Sequence, residues 1–160
     1  MITEPGSIPT VEAMRARAAC EELVHVFYER LDDGDIDGAF ALHADDLEFH
    51  PPGSPTPIGR AAAAQDAARV RLAYPGRRTL HVATSFTGRL AAPDLLDMDY
   101  LMTVYELTEP VDGVAVDRAE PVIFALARER CRFRLDAGAW RFIRQRIEPI
   151  AAARATWGQS

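Results

Sequence analysis

The chain predicts an α+β fold, with three helices packed on one face of a strongly curved, mostly antiparallel sheet. Two observations carry that expectation. In the first half, apolar residues recur at helical spacing between caps and glycines; in the second half the period shortens to two, with strands divided by turn signals. At 160 residues and 48% hydrophobic content, the sequence can bury one core. One domain is expected over residues 10–150, after a flexible arm at 1–9 and before a tail at 151–160 in which Trp157 is the one large apolar side chain.

Thr10 caps the first helix, along which Ala13, Ala16, Cys20, Leu23, Val24, Phe27 and Leu31 form an apolar stripe ending near Asp32. Gly34 stops it, and Asp33 or Asp35 caps a short second helix through Ile36, Ala39, Phe40 and His43. Leu47–His50 alternates as a short strand, and the proline-rich run 51–57 leaves it as a loop. Gly59–Tyr74, rich in alanine and arginine, reads as a lightly packed third helix stopped by Pro75-Gly76. Four long strands follow at Thr79–Thr87, Leu95–Thr108, Val122–Leu135 and Ala139–Ile147. They are separated by turn signals at Gly88, Ala91–Asp94, Asp112-Gly113 and Asp136–Gly138.

Composition removes several function classes. A net charge of −6 argues against binding nucleic acid, which needs an excess of basic groups to displace counterions. No apolar run is long enough to span a membrane. Two cysteines far apart in sequence, with no secretory leader pattern, point to a reduced cytoplasmic protein. All 18 basic residues are arginine, so lysine chemistry is excluded, the P-loop and Schiff bases included. His25, His43, His50 and His81 show no metal-ligand spacing, and there is neither a GxSxG nor a GxGxxG motif. No cofactor or metal is expected.

Acid–base chemistry remains. Tyr28 and Asp32 share a face at the end of the first helix, and His81 opens the first long strand. A carboxylate on one ring nitrogen of a histidine fixes its tautomer and leaves the other nitrogen to move protons. The same residues also read as an acidic turn and a core-edge histidine. On the last two strands, Arg128, Arg130, Arg132 and Arg134 share one face, a solvated or subunit-facing surface. Arg144 and Arg146 are expected to share a face with Trp140 and Phe142, so that one of them, Arg144 first, anchors an anionic oxygen from inside. Tyr100 and Tyr105 are expected to line the same cavity. The full set expected at a pocket is Phe27, His50, Tyr100, Tyr105, Trp140 and Arg144.

The residues Leu31–Asp37, Leu42–His50, Gly59-Arg60, Thr79–Val82 and Gly138–Phe142 resemble the pattern of the SnoaL type of the NTF2-like superfamily, over about residues 10–148. The resemblance implies a conical barrel with an apolar pocket for a small hydrophobic molecule, and a homodimer through the sheet. It also implies a catalytic pair at Asp32 and His81, as in the dehydratase-like branch. That branch often carries a tyrosine five residues before the aspartate; here Phe27 stands there and Tyr28 beside it. The superfamily includes polyketide cyclases, isomerases, dehydratases and non-catalytic binders, so the resemblance implies a cofactor-independent lyase, isomerase or cyclase, or else a binding or assembly module.

Overall fold

Helix α1 (Val11–Asp33) begins where the Thr10 hydroxyl accepts from the Ala13 N–H. It buries Ala16, Cys20, Val24, Phe27 and Tyr28 on one stripe. It ends on Gly34 at φ 86°, where the Gly34 N–H reaches Leu31 O and the Asp35 N–H reaches Arg30 O, satisfying carbonyls the helix leaves open. Gly34→Ala places a side chain in the left-handed region, with its Cβ against the Arg71 guanidinium. The expected cost is about 1–2 kcal/mol, read as a melting point a few degrees lower in a thermal scan.

The computed structural model describes residues 9–73, 77–108 and 122–152. After α1, Asp35 caps α2 (Ile36–Phe40) by accepting from the Gly38 N–H. The chain then enters β1 (His43–His50), and α3 (Arg60–Ala73) follows the proline-rich loop. Strands β2 (Arg77–Ala92), β3 (Leu95–Thr108), β4 (Val122–Asp136) and β5 (Ala139–Ala152) complete the fold. The sheet order is β1-β5-β4-β3-β2, antiparallel throughout except for the parallel β1–β5 pair. Among the described residues it is open, with β1 and β2 as its edges, and the expected arrangement of helices on a mostly antiparallel sheet is what the chain forms. Register shifts in all four ladders add local bend and twist to the strands.

Alternation on β3 places Leu96, Met98, Tyr100, Met102 and Val104 on the helix-facing side, and β4 adds Ala125, Ala127, Cys131 and Phe133. Two further expectations change. His43 belongs to β1 and not to the second helix; it is fully buried and packed between Phe40 and Phe142 rings. Gly88 lies inside β2 opposite Met98 instead of turning the chain, because β2 runs on to Ala92. The bend falls at Ser85 (φ 57°), within the register shift between Thr84 and Thr87. β5 extends to Ala152. Residues 1–8 of the expected arm at 1–9, Pro75-Gly76, Asp112-Gly113 and Trp157 lie outside the described residues.

Candidate active site

Asp32 sits in the last turn of α1, at the negative end of the helix dipole, where a carboxylate is locally unfavourable. Three donors offset this. His81 Nδ1 lies 2.6 Å from Asp32 Oδ1, the His81 N–H donates to Asp32 Oδ2 at 2.8 Å, and the Thr79 hydroxyl donates to Oδ1 at 3.2 Å. β2 is an edge strand with N–H groups that its single ladder cannot pair, and Asp32 takes up that of His81. Thr79 and His81 fall on the same side of the sheet, opposite Glu106 and Val104 of β3. Both members of the pair are partly exposed, at 12% for the Asp32 side chain and 16% for that of His81. An ionised carboxylate only accepts, so the Nδ1 position carries the proton and Nε2 is left as the basic nitrogen.

Tyr28 stacks on the His81 ring, with centroids 4.8 Å apart and planes at 22°. Its hydroxyl does not face outward as a free donor. Tyr28 Oη is 2.5 Å from Glu129 Oε1 and receives a hydrogen bond from Gln145 Nε2 at 3.2 Å. Glu129 is 2% exposed, and its other oxygen accepts from the Tyr100 hydroxyl at 2.8 Å and from Gln145 Nε2 at 2.9 Å. Gln145 Oε1 lies 3.1 Å from His43 Nε2, and the Cys131 thiol donates to Tyr100 Oη at 3.6 Å. A buried polar chain therefore runs from the back of the His81 stack to His43. Burial pushes the Glu129 carboxyl above the usual carboxylate range, and burial followed by the charge of Glu129 holds the Tyr28 phenol well above the tyrosine range.

Glu129 is the residue that reading the sequence missed, although a signal was present. The arginines at 128, 130, 132 and 134 set the outward phase of β4, which leaves Glu129 as the one charge on the face of Ala125, Ala127, Cys131 and Phe133. Buried titratable groups also give this fold a pH signature. Burial lowers His43 from 6.5 to about 4. As pH falls from 6.5 to about 4 the unfolded chain takes up a proton that folded His43 refuses, so the contribution of His43 to stability is full above that window and declines through it, while the raised Glu129 carboxyl works in the opposite direction. The expected loss is about 3 kcal/mol, at about 1.4 kcal/mol per unit. Urea titrations across this range check it, and His43→Gln should flatten the decline relative to the parent.

The remaining expected residues separate. Tyr100 is inside and bonded to Glu129, whereas Tyr105 faces the other side of the sheet, five positions along an uninterrupted alternation and paired with Leu80. Phe27 is a core residue, 2% exposed among Phe40, His43 and Phe142. Trp140 packs partly buried at the edge of the core, and His50 lies opposite Arg146 at the end of β1. The inward arginine is corrected. One extra residue on β5 between Phe142 and Arg144 reverses the phase, so Phe142 is buried while Arg144 is half-exposed and paired with Glu48 at 2.7 Å. Arg146 likewise pairs outside with Glu148, as Arg132 does with Asp97 and Arg134 with Asp46 and Asp136. Two surface clefts of about 780 and 570 Å³ lie elsewhere, one beside Phe40, Arg60 and Arg141 and one on the arginine-rich outer face; neither is lined by Asp32 or His81. Among the described residues, no three His, Cys, Asp or Glu side chains gather as a metal site, and no helix is long and apolar enough to cross a membrane.

No protein-family model matches the chain, and no curated protein matches its sequence. Solved structures do. Aln2 from a Streptomyces species superposes with a TM-score of 0.75 at 17% identity, over 89% of this chain and 94% of that one. A Catenulispora acidiphila protein in complex with S-DNPA gives 0.71 at 17% identity, over 85% and 94%. An NTF2-like protein with a cystatin-like fold from Novosphingobium aromaticivorans gives 0.64 at 20% identity, over 90% and 87%. The chain has the NTF2-like fold: helices on one face of a five-stranded, mostly antiparallel, open sheet.

Proposed function

We propose that this protein binds a small hydrophobic molecule and performs cofactor-independent acid–base chemistry on it, as a lyase, isomerase or cyclase, with His81 as the base and Asp32 as its orienting partner. The observation that carries this reading is the 2.6 Å contact between His81 Nδ1 and Asp32 Oδ1 in a pair that is still partly open to solvent. His81 Nε2 removes a proton from a carbon next to a carbonyl, and the imidazolium that forms is held against the Asp32 carboxylate. The complex of the Catenulispora protein with S-DNPA supports small-molecule binding within this fold. The test is a ligand screen followed by turnover measurements with His81→Ala; full activity in the variant on an identified substrate would overturn the mechanism.

The alternative is a non-catalytic binding or assembly module. It is favoured by the placement of the two described clefts, neither of which includes the pair. Ligand binding with no turnover, unchanged in His81→Ala, would decide for it. The outer sheet face supports a homodimer in either case. Leu80, Tyr105 and Ile123 lie in register across β2, β3 and β4, with Leu80 46% and Ile123 55% exposed. Light scattering should give twice the chain mass, and Ile123→Asp should shift the protein toward monomer. Two buried free thiols, Cys20 and Cys131, fit a reducing compartment.

A further inference from the structure

We propose that the arginine-lined cleft on the outer face of the sheet is a binding site for a phosphate group, free or carried by a small organic molecule, with Arg130 and Arg146 as its anchors. Its chemistry is independent of His81, which bonds to Asp32 on the helix-covered side. The bulge that turns Arg144 and Arg146 outward on β5 also sets them opposite Arg132 and Arg130 of β4. Opposed side chains on neighbouring antiparallel strands have Cβ atoms about 5 Å apart, and like charges placed so repel each other. The centre of this face is therefore two adjacent arginine pairs, in a chain whose net charge is −6. Asp97 and Asp99 of β3 flank Arg132 and Arg130 on one side, and Glu48 of β1 flanks Arg144 on the other.

The acids present do not satisfy these arginines equally. Arg132 donates to both oxygens of Asp97, at 2.6 and 3.1 Å, and Arg144 donates twice to Glu48 Oε2, at 2.9 and 2.7 Å. Arg130 and Arg146 share Glu148 at 3.4 and 3.3 Å, and Asp99 stands 3.9 Å from Arg130 Nε. Among the described residues neither guanidinium makes a hydrogen bond to the protein, and Arg89, which lines the cleft from β2, has no ion pair. Each guanidinium is a rigid fork of donors that matches an oxyanion bidentately. Two such forks on neighbouring strands can hold one tetrahedral anion between them, and a phosphate there offsets the repulsion of the opposed pair with two charges where a carboxylate brings one. At about 570 Å³ the cleft exceeds a phosphate ion and falls in the range of small-molecule sites. The Leu80, Tyr105 and Ile123 patch lies roughly 20 Å away along β4, so an occupied cleft leaves that contact open.

Titration of the whole protein with inorganic phosphate at constant ionic strength, followed through the arginine ¹⁵Nε signals, tests this. Arg130 and Arg146 should show saturable shifts with a common midpoint. Arg130→Gln or Arg146→Gln should raise the midpoint of the remaining signal by about tenfold or more, the worth of one charge-assisted hydrogen bond. Both side chains are more than half exposed, so both variants should fold. Arg69→Gln removes the same charge from the exposed surface of α3 and should leave the midpoint unchanged. Ribose 5-phosphate separates the two sources. A midpoint below that of inorganic phosphate assigns the site to an organic phosphate that fills the rest of the cleft, and an equal or higher one assigns it to free phosphate. Shifts that grow without saturating, a midpoint untouched by either cleft variant, or an equal loss in Arg69→Gln would overturn the site, since each marks general screening by salt.

Discussion

Replacing His81 by alanine should lower turnover of the protein's substrate by about 10²- to 10⁴-fold, the range supplied by a positioned general base. The loss should fall on kcat more than on KM, because the missing interaction is made with a proton in flight. Asp32→Asn should reproduce much of it for a different reason. An amide oriented with its NH2 group toward Nδ1 favours the wrong tautomer, with the proton on Nε2, and removes the carboxylate that balances the imidazolium. The fold should tolerate His81→Ala well, since its side chain is partly exposed and the Asp32 carboxylate keeps the His81 backbone N–H and the Thr79 hydroxyl. Comparing circular dichroism with kinetics separates loss of chemistry from loss of structure.

The largest expected effect on stability comes from Phe142→Ala. This ring is fully buried where β1, β5 and α1 meet, with centroids 4.6 Å from His43, 4.6 Å from Phe133 and 5.6 Å from Phe27. Removing it deletes the contact that joins the parallel edge strand to the helix layer and leaves a cavity beside a buried histidine. A loss of about 3–5 kcal/mol is expected, which for a chain of this size lowers the melting point by roughly 10 °C. Calorimetry checks it. A shift within a degree would mean that the aromatic cluster is not the centre of the core.

What was legible in the sequence follows the range of the interaction. Both ends of α1 and the start of α2 were readable from Thr10, Gly34 and Asp35, because a cap is decided within a few residues. The β3 and β4 faces were readable from alternation. His43 was not, since a strand beginning with two consecutive buried residues, His43 and Ala44, shows no alternation to mark its start. The inward arginine failed because a single extra residue on β5 reverses which side chains face the core, and periodicity taken across a bulge carries the wrong phase. Asp32 and His81 were a candidate pair from their residue types, and only the resemblance lifted that reading above an acidic turn and a core-edge histidine, because an edge-strand register and a helix end set their contact. Glu129 was open to a strand-face argument applied to every residue and not only to the arginines.

The account turns on one arrangement, a histidine whose Nδ1 proton is held by Asp32 and whose Nε2 is free to accept another. The ¹⁵N shifts of His81 in the parent and in Asp32→Asn test it most directly. The parent should show a protonated Nδ1 and an unprotonated Nε2 above the titration of the ring, and Asp32→Asn should move the proton to Nε2 or mix the two forms. An Nε2-protonated ring in the parent, or the same spectrum in both proteins, would contradict it.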